Sequence, residues 1–208
     1  MLCEDLHKSV RSLRRFHFPP DFQVLPNNGI YILFERGEFG HDGNRIVRVG
    51  THTGQNQLRS RLKQHFLVPN KDRSIFRKNI GRALLRREQD PFATDWELDL
   101  TSRAAKAAQG IRIDRDKQRR VEERVSEYIQ NKFSFCVIRV EDKDSRLRWE
   151  SGMISTVSLC DGCSPSANWL GHWSPKEKIR KSGLWLVNEL YKTPISADDL
   201  QRLSVSTA

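Results

Sequence analysis

An arginine and a histidine lie one helical turn apart in a segment whose apolar residues predict a helix. Leu58, Leu62 and Phe66 recur at four-residue spacing, which is typical of an amphipathic helix. Arg61 and His65 fall side by side along one edge of this apolar stripe. Arginine offers a fixed fork of donors and histidine a donor or proton shuttle, so the pair suits a pocket that holds a phosphate. The alternative is a solvated basic helix with a half-buried histidine.

A glutamate falls on the apolar side of a second predicted helix, over residues 147–159. Trp149 and Met153 define the apolar arc of this helix, and Glu150 lies inside it. An ionised carboxylate in that position is costly unless it is paired or binds a metal. The alternative is a structural ion pair with one of the many arginines. The functional interpretation gains weight if Glu150 faces the same cleft as the arginine and histidine above.

Two strands precede these helices and would position a tyrosine. Residues 29–35 and 46–50 are rich in β-formers, and a glycine-rich connection over 36–44 makes an antiparallel hairpin the simplest arrangement. Tyr31 and Leu33 then share one face of the first strand, opposite Ile30, Ile32 and Phe34. A tyrosine in a strand is usually a packing residue, so Tyr31 alone is weak evidence of function.

The remaining segments complete an α+β prediction with a small central antiparallel sheet of three core strands flanked by helices. A third strand is expected at 133–140 and well-patterned helices at 74–88 and 117–131. Weaker predictions are a helix over 1–19 and a short helix near Ala104–Ala108 within the polar stretch 90–116. Ser174 and Pro175 would begin another helix that ends at Gly183, and Ser196 would cap a last helix over 197–203. The segment 184–191 is ambiguous between strand and helix.

The charge balance favours a polyanionic partner. Lysine and arginine together number 36 against 26 acidic residues, a formal net charge of +10 and a pI of about 9.8. Each phosphate that such a protein neutralises releases counterions, which favours nucleic acid. The alternative is a soluble protein that happens to be basic. With no signal-peptide pattern and no apolar run long enough to span a membrane, we expect a cytoplasmic protein without a membrane partner.

The four cysteines are expected to be reduced in that compartment. Cys160 and Cys163 form a single CxxC, which supports a competing hypothesis of a zinc-binding interaction protein. A structural zinc site needs four ligands, so Cys136, Cys3 or His172 would have to complete it. A redox CxxC is disfavoured because no thioredoxin-like strand and helix flank the pair.

Five ordered motifs resemble the GIY-YIG nuclease superfamily, and their spacing is closest to its compact restriction-endonuclease-like branch. The motifs are Gly29-Ile30-Tyr31, a strand ending in Gly50, Leu58-x-x-Arg61-Leu62-x-x-His65, Trp149-Glu150-x-x-x-Ile154 and Pro165-x-x-Asn168-Trp169-Leu170-Gly171. The resemblance implies an N-terminal helical extension over 1–28, a nuclease core over 29–173 with a helical insertion at about 70–130, and a C-terminal extension over 174–208 packed on the core.

The same resemblance implies a metal-dependent endonuclease that hydrolyses DNA, with restriction-type cleavage as a further expectation. Tyr31, Arg61, His65 and Glu150 would be catalytic, and Glu150 would hold one Mg²⁺ or Mn²⁺ ion per active site. Asn168 would support Glu150 or a phosphate oxygen. The expected partner is double-stranded DNA, and a symmetric site would suit a homodimer.

The second motif departs from the family pattern, because Arg48-Val49-Gly50 stands where Tyr-Ile-Gly is usual. Arg48 and His52 are candidates for the role of the missing tyrosine. A catalytically degenerate nucleic-acid-binding protein on the same fold is therefore the alternative function. Basic residues expected to grip the nucleic acid backbone are Arg59, Lys63, Arg77, Lys78 and Arg82; a solvated charged face is the alternative for each.

Overall fold

Three antiparallel strands form one sheet in the order β2-β1-β3, in a computed structural model that describes residues 2–101, 104, 107 and 113–205. The strands are β1 (Gly29–Gly40), β2 (Gly43–Gly50) and β3 (Phe133–Arg139). The helices are α1 (Leu2–Arg11), α2 (Leu58–Phe66), α3 (Ile75–Arg87), α4 (Ala93–Trp96), α5 (Arg115–Lys132), α6 (Lys143–Ser158), α7 (Glu177–Ser182) and α8 (Ala197–Val205), with 3-10 turns at Asp161–Cys163 and Leu170–Trp173. The predicted α+β class and its three-stranded antiparallel sheet are confirmed.

The sheet separates two apolar cores, because successive residues of a strand point to opposite faces. Tyr31 and Leu33 belong to the first core, with residues of α2, α3 and α5. Ile30, Ile32 and Phe34 belong to the second core, with residues of α1, α6 and α8. The predicted division of β1 into two faces is confirmed. It places the helix that carries Glu150 on the opposite side of the sheet from Tyr31.

The hairpin is longer than predicted, and the prediction of a loop over residues 36–44 was wrong. Both strands continue to a turn at His41 and Asp42, whose φ angles are 50° and 58°. Glu38, within the predicted connection, is instead a buried residue of β1 and is paired with Arg45 of β2. Arg45 Nη2 lies 2.7 Å from Glu38 Oε2, and Arg45 is 0% exposed. Pairing of this kind allows charged residues to continue a strand that their polarity seemed to end.

Glu35, at the predicted end of β1, carries a buried carboxylate that is bonded to three other segments. Glu35 Oε2 accepts hydrogen bonds from the indole nitrogens of Trp169 at 2.9 Å and Trp185 at 2.8 Å, and Tyr128 donates to Oε1. Burial raises the pKa of Glu35, and the three donors oppose that shift. One side chain of the central strand therefore ties together α5, the second 3-10 turn and the C-terminal segment.

Several helix boundaries differ from those predicted. The N-terminal helix ends at Arg11 and not near residue 19, because Phe16 pairs with Phe135 at the edge of β3 through backbone hydrogen bonds of 2.8 and 3.0 Å. The glutamate-bearing helix begins at Lys143, where Asp142 accepts a hydrogen bond from Ser145 N at 2.7 Å. The apolar periodicity predicted a later start, because it does not take account of Asp142 as the N-terminal cap.

The helix expected at Ser174 begins instead at Glu177, because Ser174 ends the preceding 3-10 turn. Its end at Gly183 is confirmed by a φ of 68°, and the cap of α8 by Ser196 is confirmed. Residues 184–191 form neither a strand nor a helix. The short helix expected near Ala104–Ala108 lies largely outside the described residues.

None of the described helices has the length and apolar character needed to cross a membrane.

A buried ion pair joins α3 to α5. Arg77 Nη2 lies 2.8 Å from Glu122 Oε2, and the two side chains are 0% and 6% exposed. Arg77 also donates to the carbonyl of Glu122 at 3.0 Å and to Ser126 Oγ at 2.7 Å. A charge in this position is stable only with its partner, since either ion alone would be desolvated and uncompensated.

Replacement of Arg77 by methionine should therefore lower the free energy of unfolding by about 3–5 kcal/mol, the cost of leaving a buried charge unpaired. Arg87, at the exposed end of the same helix, is the matched control, and its replacement by methionine should change stability by less than about 0.5 kcal/mol. Urea unfolding of both variants measures the difference. Equal effects would contradict the structural role of the Arg77–Glu122 pair.

Candidate active site

Tyr31 lies across the end of β2, in the middle of the sheet. It is 1% exposed and pairs with Gly50 in the register of β1 and β2. A Cβ atom on residue 50 would lie 2.3 Å from the Tyr31 hydroxyl oxygen, closer than any real side chain could. Gly50 is therefore required so that the tyrosine hydroxyl can reach the end of β2.

His65 connects the Tyr31 hydroxyl to the start of α3. Its Nε2 lies 2.8 Å from Tyr31 Oη, and its Nδ1 lies 2.7 Å from Ser74 Oγ. Ser74 also accepts a hydrogen bond from the Arg77 backbone at 3.2 Å, as the cap of α3. Burial lowers the pKa of His65 well below its usual value, and Arg48, Arg61 and Arg77 lower it further. The imidazole is therefore neutral. One of its nitrogens accepts a hydrogen bond from the tyrosine or serine hydroxyl, and the other donates one.

Arg61 is half-buried on α2 and faces a cavity of about 260 Å³. Its Nη1 donates to Gln64 Oε1 and to the carbonyl of Arg73, both at 3.2 Å. Thr51, His52 and Thr53 line the opposite side of this cavity. The guanidinium still has further donors, so this cavity offers positive charge beside the end of β2.

Glu150 comes to the same place from the other side of the sheet. Its Oε1 accepts a hydrogen bond from Thr51 N at 2.9 Å. Burial raises the pKa of the Glu150 carboxyl, and the opposing influences are Arg48, the Thr51 amide and Arg61. Glu150 is half-buried, as its predicted position at the apolar arc of its helix suggests. A second cavity, of about 480 Å³, is lined by Glu150, Arg48 and Glu189 among others.

The contacts of Tyr31 and Glu150 are made at the end of β2, beside which Arg61 and Glu150 line two separate cavities. The Tyr31 hydroxyl packs against Gly50, and the Glu150 carboxylate is bonded to the next residue, Thr51. Arg61 is close enough to influence the pKa of both His65 and Glu150. A strand from the middle of the sheet, a helix from one face and a helix from the other thus contribute to one small region.

Arg48, in place of the usual tyrosine, is buried and only partly satisfied. It is 6% exposed, donates from Nη1 to the carbonyl of Trp185, and its Nε has no partner in the described part of the chain. Asn79 Nδ2 lines the same cavity and is also without a partner there. Buried donors without protein acceptors are uncommon in native proteins, and an ordered water or a ligand oxygen would satisfy these two.

His52 is less suited to replace the missing tyrosine. Gly29 N donates to its Nε2 at 3.4 Å, and its Nδ1 lies 2.6 Å from the carbonyl of Gly54. Burial lowers the pKa of His52. Because both ring nitrogens already serve the backbone, this neutral histidine holds the turn after β2, and Arg48 is the group that faces Glu150.

Asn168 does not join the other predicted residues. It is exposed in the loop before the second 3-10 turn and lines neither of the two cavities. Asn188 lines the Glu150 cavity instead, beside Glu189. Asn79, Asn188 and Glu189, which line this cavity, were not predicted from the sequence. The last two lie in the segment whose secondary structure was ambiguous, so no periodicity assigned them a face.

Most of the basic residues expected to grip nucleic acid have partners within the protein. Arg77 is fully buried in its pair with Glu122, so its assignment to a binding surface was wrong. Arg82 Nε donates to Glu97 Oε1 at 2.6 Å, Lys78 Nζ donates to the carbonyl of Glu97 at 2.9 Å, and Arg59 donates to the carbonyl of Leu25 at 2.8 Å. Lys63 is exposed beside the ring of Phe22 and fits the prediction best.

The fold and this site are those of a small α+β domain in which a hairpin tyrosine, a basic helix and a helix-borne carboxylate meet. A family model described as the GIY-YIG domain matches residues 1–205. The chain belongs to the GIY-YIG family, and this domain points to a nuclease that acts on nucleic acid. No curated protein and no solved structure matches the chain.

The lowered pKa of His65 predicts a pH dependence of stability. Unfolding exposes an ordinary histidine with a pKa of about 6.5, so below that pH the unfolded chain binds a proton that the folded protein does not. As the pH falls below this value, the free energy of unfolding should decrease by up to about 1.4 kcal/mol for each pH unit. The excess stability of the wild type over a His65→Gln variant should be constant above pH ~7.5 and shrink below pH ~6. Urea unfolding at several pH values measures it, and a constant difference down to pH ~5 would contradict a buried neutral histidine.

Proposed function

We propose that this chain is a metal-dependent endonuclease that hydrolyses phosphodiester bonds in double-stranded DNA. One observation carries the proposal: Tyr31 and Glu150, from opposite sides of the sheet, contact the successive residues Gly50 and Thr51. The cations Arg48 and Arg61 lie close enough to lower the pKa of Glu150. A hydroxyl, a carboxylate and two guanidinium groups in one region are the groups that phosphodiester hydrolysis requires.

The residues around Glu150 fit a hard divalent cation. Glu150 uses Oε1 for the Thr51 amide, and its Oε2 accepts no hydrogen bond from the residues that the structure describes. Glu189 and Asn188 line the same cavity, but the Glu189 carboxylate already accepts hydrogen bonds from Ser151 at 2.6 Å and Lys192 at 2.8 Å. Glu150 as a single carboxylate completed by water suits Mg²⁺ or Mn²⁺. When bound there, the ion would act as a Lewis acid and neutralise charge on the phosphate.

The other residues have roles that follow from their contacts. Tyr31 would orient the attacking water, and His65 would hold the tyrosine hydroxyl in position through the 2.8 Å hydrogen bond. Ser74 would hold His65 in the required tautomer. Arg61 would bind the scissile phosphate with the donors that its internal contacts leave free. Arg48 would direct its unpartnered Nε to a phosphate oxygen, in place of the usual tyrosine.

Net charge supports a polyanionic substrate, since the chain carries a formal charge of +10. The spacing of Arg61 and His65 supports the restriction-like branch, and hence a homodimer at a symmetric site. Arg48 favours a second candidate function, a DNA-binding protein without turnover, because a residue of the usual proton-transfer pair is replaced.

Cleavage of supercoiled plasmid in Mg²⁺ or Mn²⁺ tests these proposals together. We expect Glu150→Gln to lower the cleavage rate by at least about 10²-fold, because it removes the metal-binding charge. Tyr31→Phe should lower it by about 10²–10⁴-fold, because it removes the group that orients the water. DNA binding by both variants, measured by fluorescence anisotropy at fixed salt, should change by less than about tenfold.

The matched control is Glu123→Gln on the exposed face of α5, which should cleave like the wild type. A wild-type protein that binds DNA but nicks it with neither metal would reject the nuclease and leave the binding function. Equal cleavage by the wild type and Glu150→Gln would reject Glu150 as the metal ligand.

A further inference from the structure

Three cysteines and one histidine, none of them assigned to hydrolysis, lie close together. Cys3 comes from α1, His41 from the tip of the hairpin, and Cys160 and Cys163 from the 3-10 turn after α6. Their ligand atoms all lie within 4.8 Å of one another. Cys3 Sγ is 3.5 Å from Cys163 Sγ, and His41 Nε2 is 3.2 Å from Cys160 Sγ.

These separations agree with a tetrahedral metal site. With Zn–S bonds of about 2.3 Å and Zn–N bonds of about 2.0 Å, the ligand atoms of a tetrahedral zinc site are about 3.5–3.8 Å apart. The set of three cysteines and one histidine is also a common one for structural zinc. We propose that Cys3, His41, Cys160 and Cys163 bind one structural zinc ion.

The local backbone brings these four side chains together. Cys163 N donates to the carbonyl of Cys160 at 3.2 Å, which closes the turn between the two thiols. A Cβ atom on Gly162 would lie 3.1 Å from the ring of His41, so the glycine makes room for the histidine. His41 itself has a φ of 50°, a conformation uncommon for residues other than glycine.

The neighbouring His7 supports the cluster without being a ligand. Its Nδ1 lies 2.9 Å from the carbonyl of Cys3, and its Nε2 accepts a hydrogen bond from Ile46 N at 3.2 Å. Both nitrogens are therefore occupied, and His7 connects the helix that carries Cys3 to β2. His41 Nε2 has only Cys160 as a partner among the described residues, which leaves it available to a metal.

Of the residues expected to complete a zinc site with the CxxC pair, Cys3 belongs to the cluster, whereas His41 was not predicted. Cys136 is buried in β3 and is not part of the cluster. His172 Nε2 is bonded to the carbonyl of Ser166 at 2.9 Å. Cys3 and Cys163 are buried, whereas His41 and Cys160 are half-buried, so the site opens to solvent on one side and an ion can enter.

Zinc here would join α1, the hairpin and the end of the glutamate-bearing helix. The site is chemically distinct from the Glu150 cavity, because sulfur and imidazole ligands select zinc, whereas carboxylate oxygens suit Mg²⁺. This inference does not depend on the nuclease proposal, and a protein without nuclease activity would bind zinc in the same way.

The metal content of the full chain, purified under reducing conditions without chelator, tests the inference. We expect one zinc per chain by inductively coupled plasma mass spectrometry. Replacement of zinc by Co²⁺ should give the intense thiolate charge-transfer and d–d absorption of a tetrahedral site with three sulfur ligands. A metal-free wild type that does not take up added equimolar zinc would overturn the proposal.

Two variants keep the fold and remove one ligand each. Cys160→Ala alters a half-buried thiol, and His41→Asn keeps a residue that tolerates positive φ. Each should weaken zinc affinity by at least about 100-fold. Loss of a residue that only hydrogen-bonds to a ligand would weaken it by about 10–100-fold. Cys136→Ala, outside the cluster, should keep one zinc per chain. Zinc binding as tight in both ligand variants as in the wild type, or a Cys3–Cys163 disulfide in the purified protein, would overturn the proposal.

Discussion

Tyr31 can cross the end of β2 only because residue 50 has no side chain. The register of the hairpin sets the two residues opposite each other, and a Cβ atom at that position would occupy the space of the tyrosine hydroxyl. From this contact follows the position of His65, which bonds to the hydroxyl, and of Thr51, whose amide binds Glu150. The glycine of the second motif is thus retained where its tyrosine has been replaced.

Buried charges determine how the helices meet around this sheet. Glu35 accepts hydrogen bonds from three aromatic side chains, Glu38 is paired with Arg45, and Arg77 is paired with Glu122. Glu35 and Glu122 join segments distant in sequence, and Glu38 joins the two strands of the hairpin. Burial of such groups is stable only where every partner is present, so these contacts favour one packing arrangement over others of similar apolar content.

The sequence predicted those features that depend on local spacing. Arg61 and His65 are neighbours on any helix over that segment, and Glu150 is anomalous because a charge lies on an apolar arc. The length of the hairpin was not predictable, because Glu38 and Arg45 resemble loop residues until their pairing is known. Nothing in the local sequence distinguishes Arg77 from a surface arginine. Its burial depends on its pairing with Glu122, a residue distant in sequence. Asn188 and Glu189 lie in an irregular segment, where no periodicity assigns a direction to a side chain.

The candidate active site straddles the sheet, and this has a consequence for folding. Tyr31 and His65 are held by the first core and Glu150 by the second, so neither half of the protein contains a complete site. Fragments that keep one core would therefore lack function even if they kept their secondary structure. The site therefore requires both cores to be folded. Partial unfolding of either core would disrupt the site before the whole chain unfolds.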